Sequence, residues 1–242
     1  MVSDELIRVT AKIVDPTSWE SAKQRWPGQV APTIERDGYT RWPLPGYVGQ
    51  HYEGTRIVFL GTNPGPGKGL SNARSEDVRL FMTLLPEFLR NPGDKTYNEM
   101  NAYLATEMPK WDIFSNIGFP QCFQMRISEL AYSNVLLVNT PDGVRPGDVA
   151  PEVFEFSIRR FLADWLNLLA PKLVVVFGKD AAKHLIKHWQ PRPPDLQIVS
   201  MGLPTRQVMN THRQTFEADF ENVKRTVDRS SPTARRRAPR AG

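Results

Sequence analysis

The chain of 242 residues holds a single cysteine, Cys122. One thiol forms no internal disulfide and cannot build a cysteine-based zinc or iron–sulfur site. Cys122 is expected to pack as a small apolar residue. Long hydrophobic runs are also missing: none approaches the roughly 18 residues that span a bilayer. The first residues, MVSDELIRVTAKIV, lack the basic start and apolar block of a signal peptide. A cytoplasmic protein without membrane contact is expected. A nucleotide-phosphate loop is absent as well, although GTNPGPGKG (61 to 69) invites the comparison. Gly67-Lys68 is followed by Gly69 instead of a hydroxyl residue, and Thr62 stands where the first glycine belongs. Pro64 and Pro66 further remove N–H donors that a phosphate cradle uses. Finally, acid is missing from the end. RSSPTARRRAPRAG, from Arg229 to Gly242, has five arginines and no carboxylate, so the rest of a chain of net charge +5 is neutral. This tail has almost nothing to bury and is expected to be disordered. It is either a solvated end or a flexible arm that binds phosphates without sequence preference.

What is present suits one folded domain over residues 1–228, since 40% of the chain is apolar. Three apolar runs dominate: RIVFLG (56 to 61), SNVLLVN (133 to 139) and KLVVVFG (172 to 178). LQIVSM (196 to 201) supplies a fourth. Runs that are apolar on both faces suit central parallel strands covered by helices. Between the second and third, residues 153, 154, 158, 161, 162, 165, 166 and 169 are apolar, which places them on one stripe of a helix that Pro171 ends. DAAKHLIKHW and HRQTFEADFENVKRTV predict two further helices. The expected fold is a three-layer α/β domain whose central, mostly parallel sheet has four strands, with helices on both faces. In such a sheet ligands bind where loops leave the carboxyl ends of the strands. The informative loops are therefore GTNPGPGKG, NTPDGVRPG and GLPTRQ, while GKDAAK predicts a tight strand-to-helix connection.

GTNPGPG at the end of the first strand, YSNVLLVNTPDGVRP at the second, and PEVFEFSIRRFLADWLNLLAPKLVVVFGKDAAKHL across the third resemble, in order and spacing, the uracil-DNA glycosylase superfamily. The likeness covers roughly residues 57 to 190. It departs at the last motif. Many members have His-Pro-Ser-Pro after the last strand, its histidine stabilising the departing uracil anion, and mismatch-specific members have Asn-Pro-Ser-Gly. Here the stretch is SMGLPTRQVMN. The single cysteine also separates the chain from the iron–sulfur branch.

The resemblance implies a monofunctional DNA glycosylase without metal or organic cofactor: a monomer that acts on uracil in single- or double-stranded DNA, cytoplasmic and held near the nucleoid through DNA. Breaking the bond from base to sugar develops an oxocarbenium-like sugar and an anionic base, so water must be placed and the anion met by donors. Asn63 would hold the water, and the backbone at Gly61 and Thr62 would face a uracil carbonyl. Asn134 would read the base edge with its amide, although Asn139, five positions on, is a rival in register. Without the resemblance, Asn63 is a turn residue and Asn134 a polar strand end. Phe81 would stack on the flipped base or pack in the core. Arg206 and His212 are the cations available to replace the missing histidine, Arg206 also as a phosphate contact. Pro66 and Lys68 would touch DNA, and Lys68 is the lysine to watch as a nucleophile. His184 and His188 have the i, i+4 spacing of metal ligands, but no third ligand follows and a solvated helix face is expected. Two alternatives stay open: excision of another base (hypoxanthine, xanthine or a mismatched pyrimidine), or nucleic-acid binding without catalysis.

Overall fold

The protein is described here by a computed structural model covering residues 3–36, 39–63, 79–141 and 144–230. Its strands are β1 (Ile34–Arg36), β2 (Tyr39–Arg41), β3 (Tyr47–Val48), β4 (Ile57–Gly61), β5 (Leu130–Asn134), β6 (Leu173–Phe177) and β7 (Gln197–Met201). β1 and β2 form a separate antiparallel pair. The others make one sheet in the order β3-β5-β4-β6-β7. β4 runs parallel to β5 and β6, and β6 to β7. Every residue of β4, β5 and β6 is buried, the pattern of strands covered on both faces. The four expected strands gain a fifth: the two-residue β3 pairs antiparallel with β5 and closes that edge.

The helices are α1 (Asp4–Val14), α2 (Glu20–Arg25), α3 (Leu85–Arg90), α4 (Asp94–Glu107), α5 (Asp112–Ser115), α6 (Pro151–Ser157), α7 (Ala163–Leu169), α8 (Lys179–His188), α9 (Arg206–Thr211) and α10 (Arg213–Ser230). None of the described helices is long and apolar enough to cross a membrane. The predicted helix after β5 forms as α6 and α7, joined by a π-helical stretch, Ile158–Leu162. All eight positions of its apolar stripe are buried. The run ends at Ala170, in a left-handed conformation, just before Pro171. α10 continues to Ser230, two residues into the stretch expected to be tail, and the remainder of that tail lies outside the described residues.

The chain passes from β4 to β5 on one side and then back across β4 to β6, so right-handed crossovers put the two connections on opposite faces. On the first face Phe59 meets Phe119 and Phe123 at ring distances of 5.0 and 5.3 Å, and Phe114 meets Tyr132 at 4.9 Å. α10 joins them through Phe220, 5.4 Å from Phe123. On the second face α8 packs on β6 and β7 and against α6.

One strand differs from expectation. The run 133 to 139 is not a strand along its length: β5 covers 130 to 134, and Val135 to Val138 follow as a bent, fully buried segment. Apolar composition alone cannot locate this bend, because side-chain and loop hydrogen bonds hold it. Val135 N–H donates to Gly61 O and Leu136 N–H to Thr62 O, each at 2.9 Å. The Ser157 hydroxyl donates to Val135 O and accepts from Leu137 N–H, each at 3.0 Å.

Candidate functional site

Three strands deliver their carboxyl ends to one place. Gly61 ends β4, Asn134 ends β5, and the two are register partners. Because paired residues share a face, the Asn134 side chain lies over Gly61, and any Cβ at position 61 would overlap Asn134 Oδ1 and the Tyr132 hydroxyl. Glycine is required there by close approach. Asn134 is buried, 3% exposed. The Tyr132 hydroxyl lies 3.1 Å from Asn134 Oδ1, to which it donates. Burial pushes the Tyr132 phenol well above its ordinary pKa, so it keeps that proton.

Asn63 follows β4 at a half-buried position, its Nδ2 3.5 Å from Thr140 Oγ1. Thr140 donates its own hydrogen to Val144 O at 3.2 Å. Its oxygen therefore faces Asn63 as an acceptor at the long end of hydrogen-bond range, with Nδ2 toward Thr140 and Oδ1 open to another donor. Asn139, the rival in register, is fully buried; its Nδ2 donates to Trp42 O at 3.2 Å and its backbone carbonyl accepts from Ala31 N–H. It ties the bent segment to the chain before β3, while Asn134 stands at the strand end.

Thr62 turns to the other side. Its hydroxyl donates to Phe177 O at 2.9 Å, bridging β4 to β6. Gly178 then starts α8 with φ +123, and a Cβ there would overlap Thr62 Oγ1. This is the point where successive connections leave the sheet in opposite directions, the usual place for a ligand crevice. A cleft of about 540 Å³ opens there, lined among others by Thr62, Gly178, Leu203, Phe154, His184 and Lys187. Lys179 is paired with Asp219 at 2.7 Å and Lys183 with Asp180 at 2.8 Å, the latter holding the Asp180 carboxyl below its usual range.

Of the residues singled out by sequence, Gly61, Thr62, Asn63 and Asn134 come together at the ends of β4 and β5, but only Thr62 also lines the cleft. Phe81 is 2% exposed within the π-helical turn Leu80–Leu84, where it belongs to the hydrophobic core. Arg206 opens α9 and His212 closes it; both are exposed, and neither is among the described residues that line the cleft. Pro66 and Lys68 lie outside the described residues. The face of α8 carrying His184 and His188 is not solvated as expected. His184 stacks on Phe154 at 4.4 Å, and His188 is 6% exposed with Nδ1 3.7 Å from Glu155 Oε2. Burial is the main reason that both imidazoles titrate below their ordinary value of 6.5. Among the described residues, no group of three or more His, Cys, Asp or Glu is placed to hold a metal. Cys122 is half-buried, its thiol pushed up to about 12, chiefly by burial.

Sequence reasoning missed Tyr132 and Thr140, which orient the two asparagines, and Asn116, whose Nδ2 donates to Pro204 O at 3.1 Å in the loop after β7. Tyr132 carried one usable signal, since it lies two residues before Asn134 and so on the same face of a strand. Compared with known protein families and with curated proteins, the chain matches none.

Proposed function

We propose that the protein is a monofunctional DNA glycosylase that hydrolyses the bond between uracil and deoxyribose and leaves an abasic site. The observation that carries this reading is the pairing of Asn134 with Gly61 at the ends of β5 and β4, with Asn63 two residues beyond Gly61. Bond breaking needs an acceptor for the attacking water and donors for a base that leaves as an anion. Asn63, with Nδ2 directed to Thr140, offers Oδ1 to the water. Asn134 offers Nδ2 to uracil O4 and the free lone pair of Oδ1 to N3–H. The base would reach this edge flipped out of its strand. Neutral donors alone would meet the departing anion, and Arg206 remains the cation closest in sequence to the loop after β7.

A second reading, nucleic-acid binding without base release, is favoured by the lack of a histidine in SMGLPTRQVMN, where either Leu203-Pro204 or Met201-Gly202 takes the place of the residue that would assist departure. Incubation with uracil-containing single- and double-stranded oligonucleotides, followed by measurement of free base, separates the two. Released uracil with an abasic strand supports the glycosylase. Retention of the oligonucleotide without release supports the binder, and a panel with hypoxanthine, xanthine and mismatched pyrimidines tests the choice of base.

A further inference from the structure

Asn134 can read a base edge with its amide, yet an asparagine amide turned by half a rotation reads the opposite pattern. Uracil presents an acceptor at position 4 and a donor at position 3. Cytosine presents a donor at 4 and an acceptor at 3. An amide that matches uracil therefore matches cytosine after a flip, with no change of shape. Specificity requires something that holds one orientation.

We infer that Tyr132 is the positioning residue that sets uracil against cytosine at this site, by donating its hydroxyl hydrogen to Asn134 Oδ1 and so keeping Nδ2 turned toward the base. The two side chains are on one face of β5, two residues apart, with the hydroxyl 3.1 Å from Oδ1. Both are buried, so water does not replace the bond. Gly61 leaves the space the pair occupies, because a Cβ there would overlap both polar atoms. A phenol is also a better donor than acceptor, since its lone pair is drawn into the ring, and the flipped amide would ask it to accept. Flipping thus exchanges a bond in which the phenol donates for a weaker one in which its oxygen must accept from Nδ2. A difference approaching one hydrogen bond corresponds to a preference of up to about tenfold between the two orientations.

This inference rests on the glycosylase reading, and its test keeps the two apart. Uracil and cytosine release would be compared on otherwise identical single-stranded oligonucleotides, under single-turnover conditions, for wild type and Tyr132→Phe. In parallel, the Asn134 side-chain amide would be followed by ¹⁵N NMR, its signals assigned by their loss in Asn134→Ala. Expected for Tyr132→Phe are a uracil-to-cytosine ratio lower by up to about tenfold and displaced or exchange-broadened Asn134 amide signals. A variant that melts earlier and releases less uracil, with the ratio and the amide signals unchanged, shows Tyr132 to be a packing residue and overturns the inference. If wild type releases no uracil, the glycosylase reading falls, and the amide signals alone decide whether Tyr132 pins Asn134.

Discussion

A side-chain amide has nearly the same outline in both orientations, so its chemistry is decided by the hydrogen bond that fixes it. Asn63 is fixed by Thr140, Asn134 by Tyr132, and Asn139 by Trp42 O. These contacts place three residues of one type in different surroundings. Asn63→Ala is expected to lower the single-turnover release of uracil by about 10² while DNA affinity stays within a few-fold, because a positioned water acts mainly in the transition state. Near-normal release would leave Asn63 as a turn residue. Asn139→Asp replaces a buried donor with a carboxylate oxygen facing a carbonyl, so it is expected to unfold the protein at lower urea concentration, whatever the substrate. Gly61→Ala inserts a methyl group where two polar atoms already sit, at an expected cost of about 1–3 kcal/mol. An unchanged urea midpoint for that variant would mean that the Asn134 and Tyr132 side chains have room to retreat.

Among the elements, the join between α6 and β5 carries the site. Ser157, fully buried on α6, is hydrogen-bonded to the backbone of both Val135 and Leu137, and this contact holds the bend that ends β5 at Asn134. Ser157→Ala leaves a buried carbonyl and a buried N–H without this partner. The expected loss is about 1–3 kcal/mol, read as a fall in Tm of ~2–4 °C per kcal/mol for a chain of this size. Packing of α8 against α6 gives a second test. His188 is buried near Glu155, which favours its charged form, yet burial prevails and lowers its pKa; Lys187 and Arg159 act in the same direction. His184, over Phe154, is lowered too. A folded-state pKa below the unfolded value means that the unfolded chain takes up protons first. The resulting stability is complete above pH 6.5 and is lost as pH falls from there through the folded value. Tm should therefore drop between pH 7.5 and 5.5, and His188→Leu should flatten that drop. Parallel curves for the two proteins would remove His188 as a source of the acid sensitivity.

For the whole molecule, charge is concentrated at one end. Truncation after Ser230 removes Arg235, Arg236, Arg237 and Arg240 and lowers the net charge from +5 to +1, leaving α10 whole. If the tail is an arm that engages DNA, the truncated protein should excise uracil normally at low salt. Its plot of log affinity against log salt should also be shallower, by roughly 0.9 for each phosphate that the arginines no longer neutralise. The same slope in both proteins would make the tail a solvated end.

Much of this architecture is carried by local sequence. Runs apolar on both faces, such as those at 57 to 61 and 173 to 177, have to be covered on two sides, and the stripe from Val153 to Leu169 has one face to cover them with. From these alone follow the central parallel strands, the helices between them and the gathering of loops at one end of the sheet. The ends of elements were not legible in the same way. VLLV at 135 to 138 has the composition of a strand, and what bends it is a serine 20 residues away in sequence together with the carbonyls of Gly61 and Thr62. The buried face of α8 was hidden for the same reason, since His184 and His188 are covered by Phe154 and Glu155 of another helix. Sequence periodicity records which way a residue points within its own element. Which strand end stands beside Gly61, and which hydroxyl holds each asparagine, depend on contacts between segments distant in the chain, and only the tertiary structure decides them.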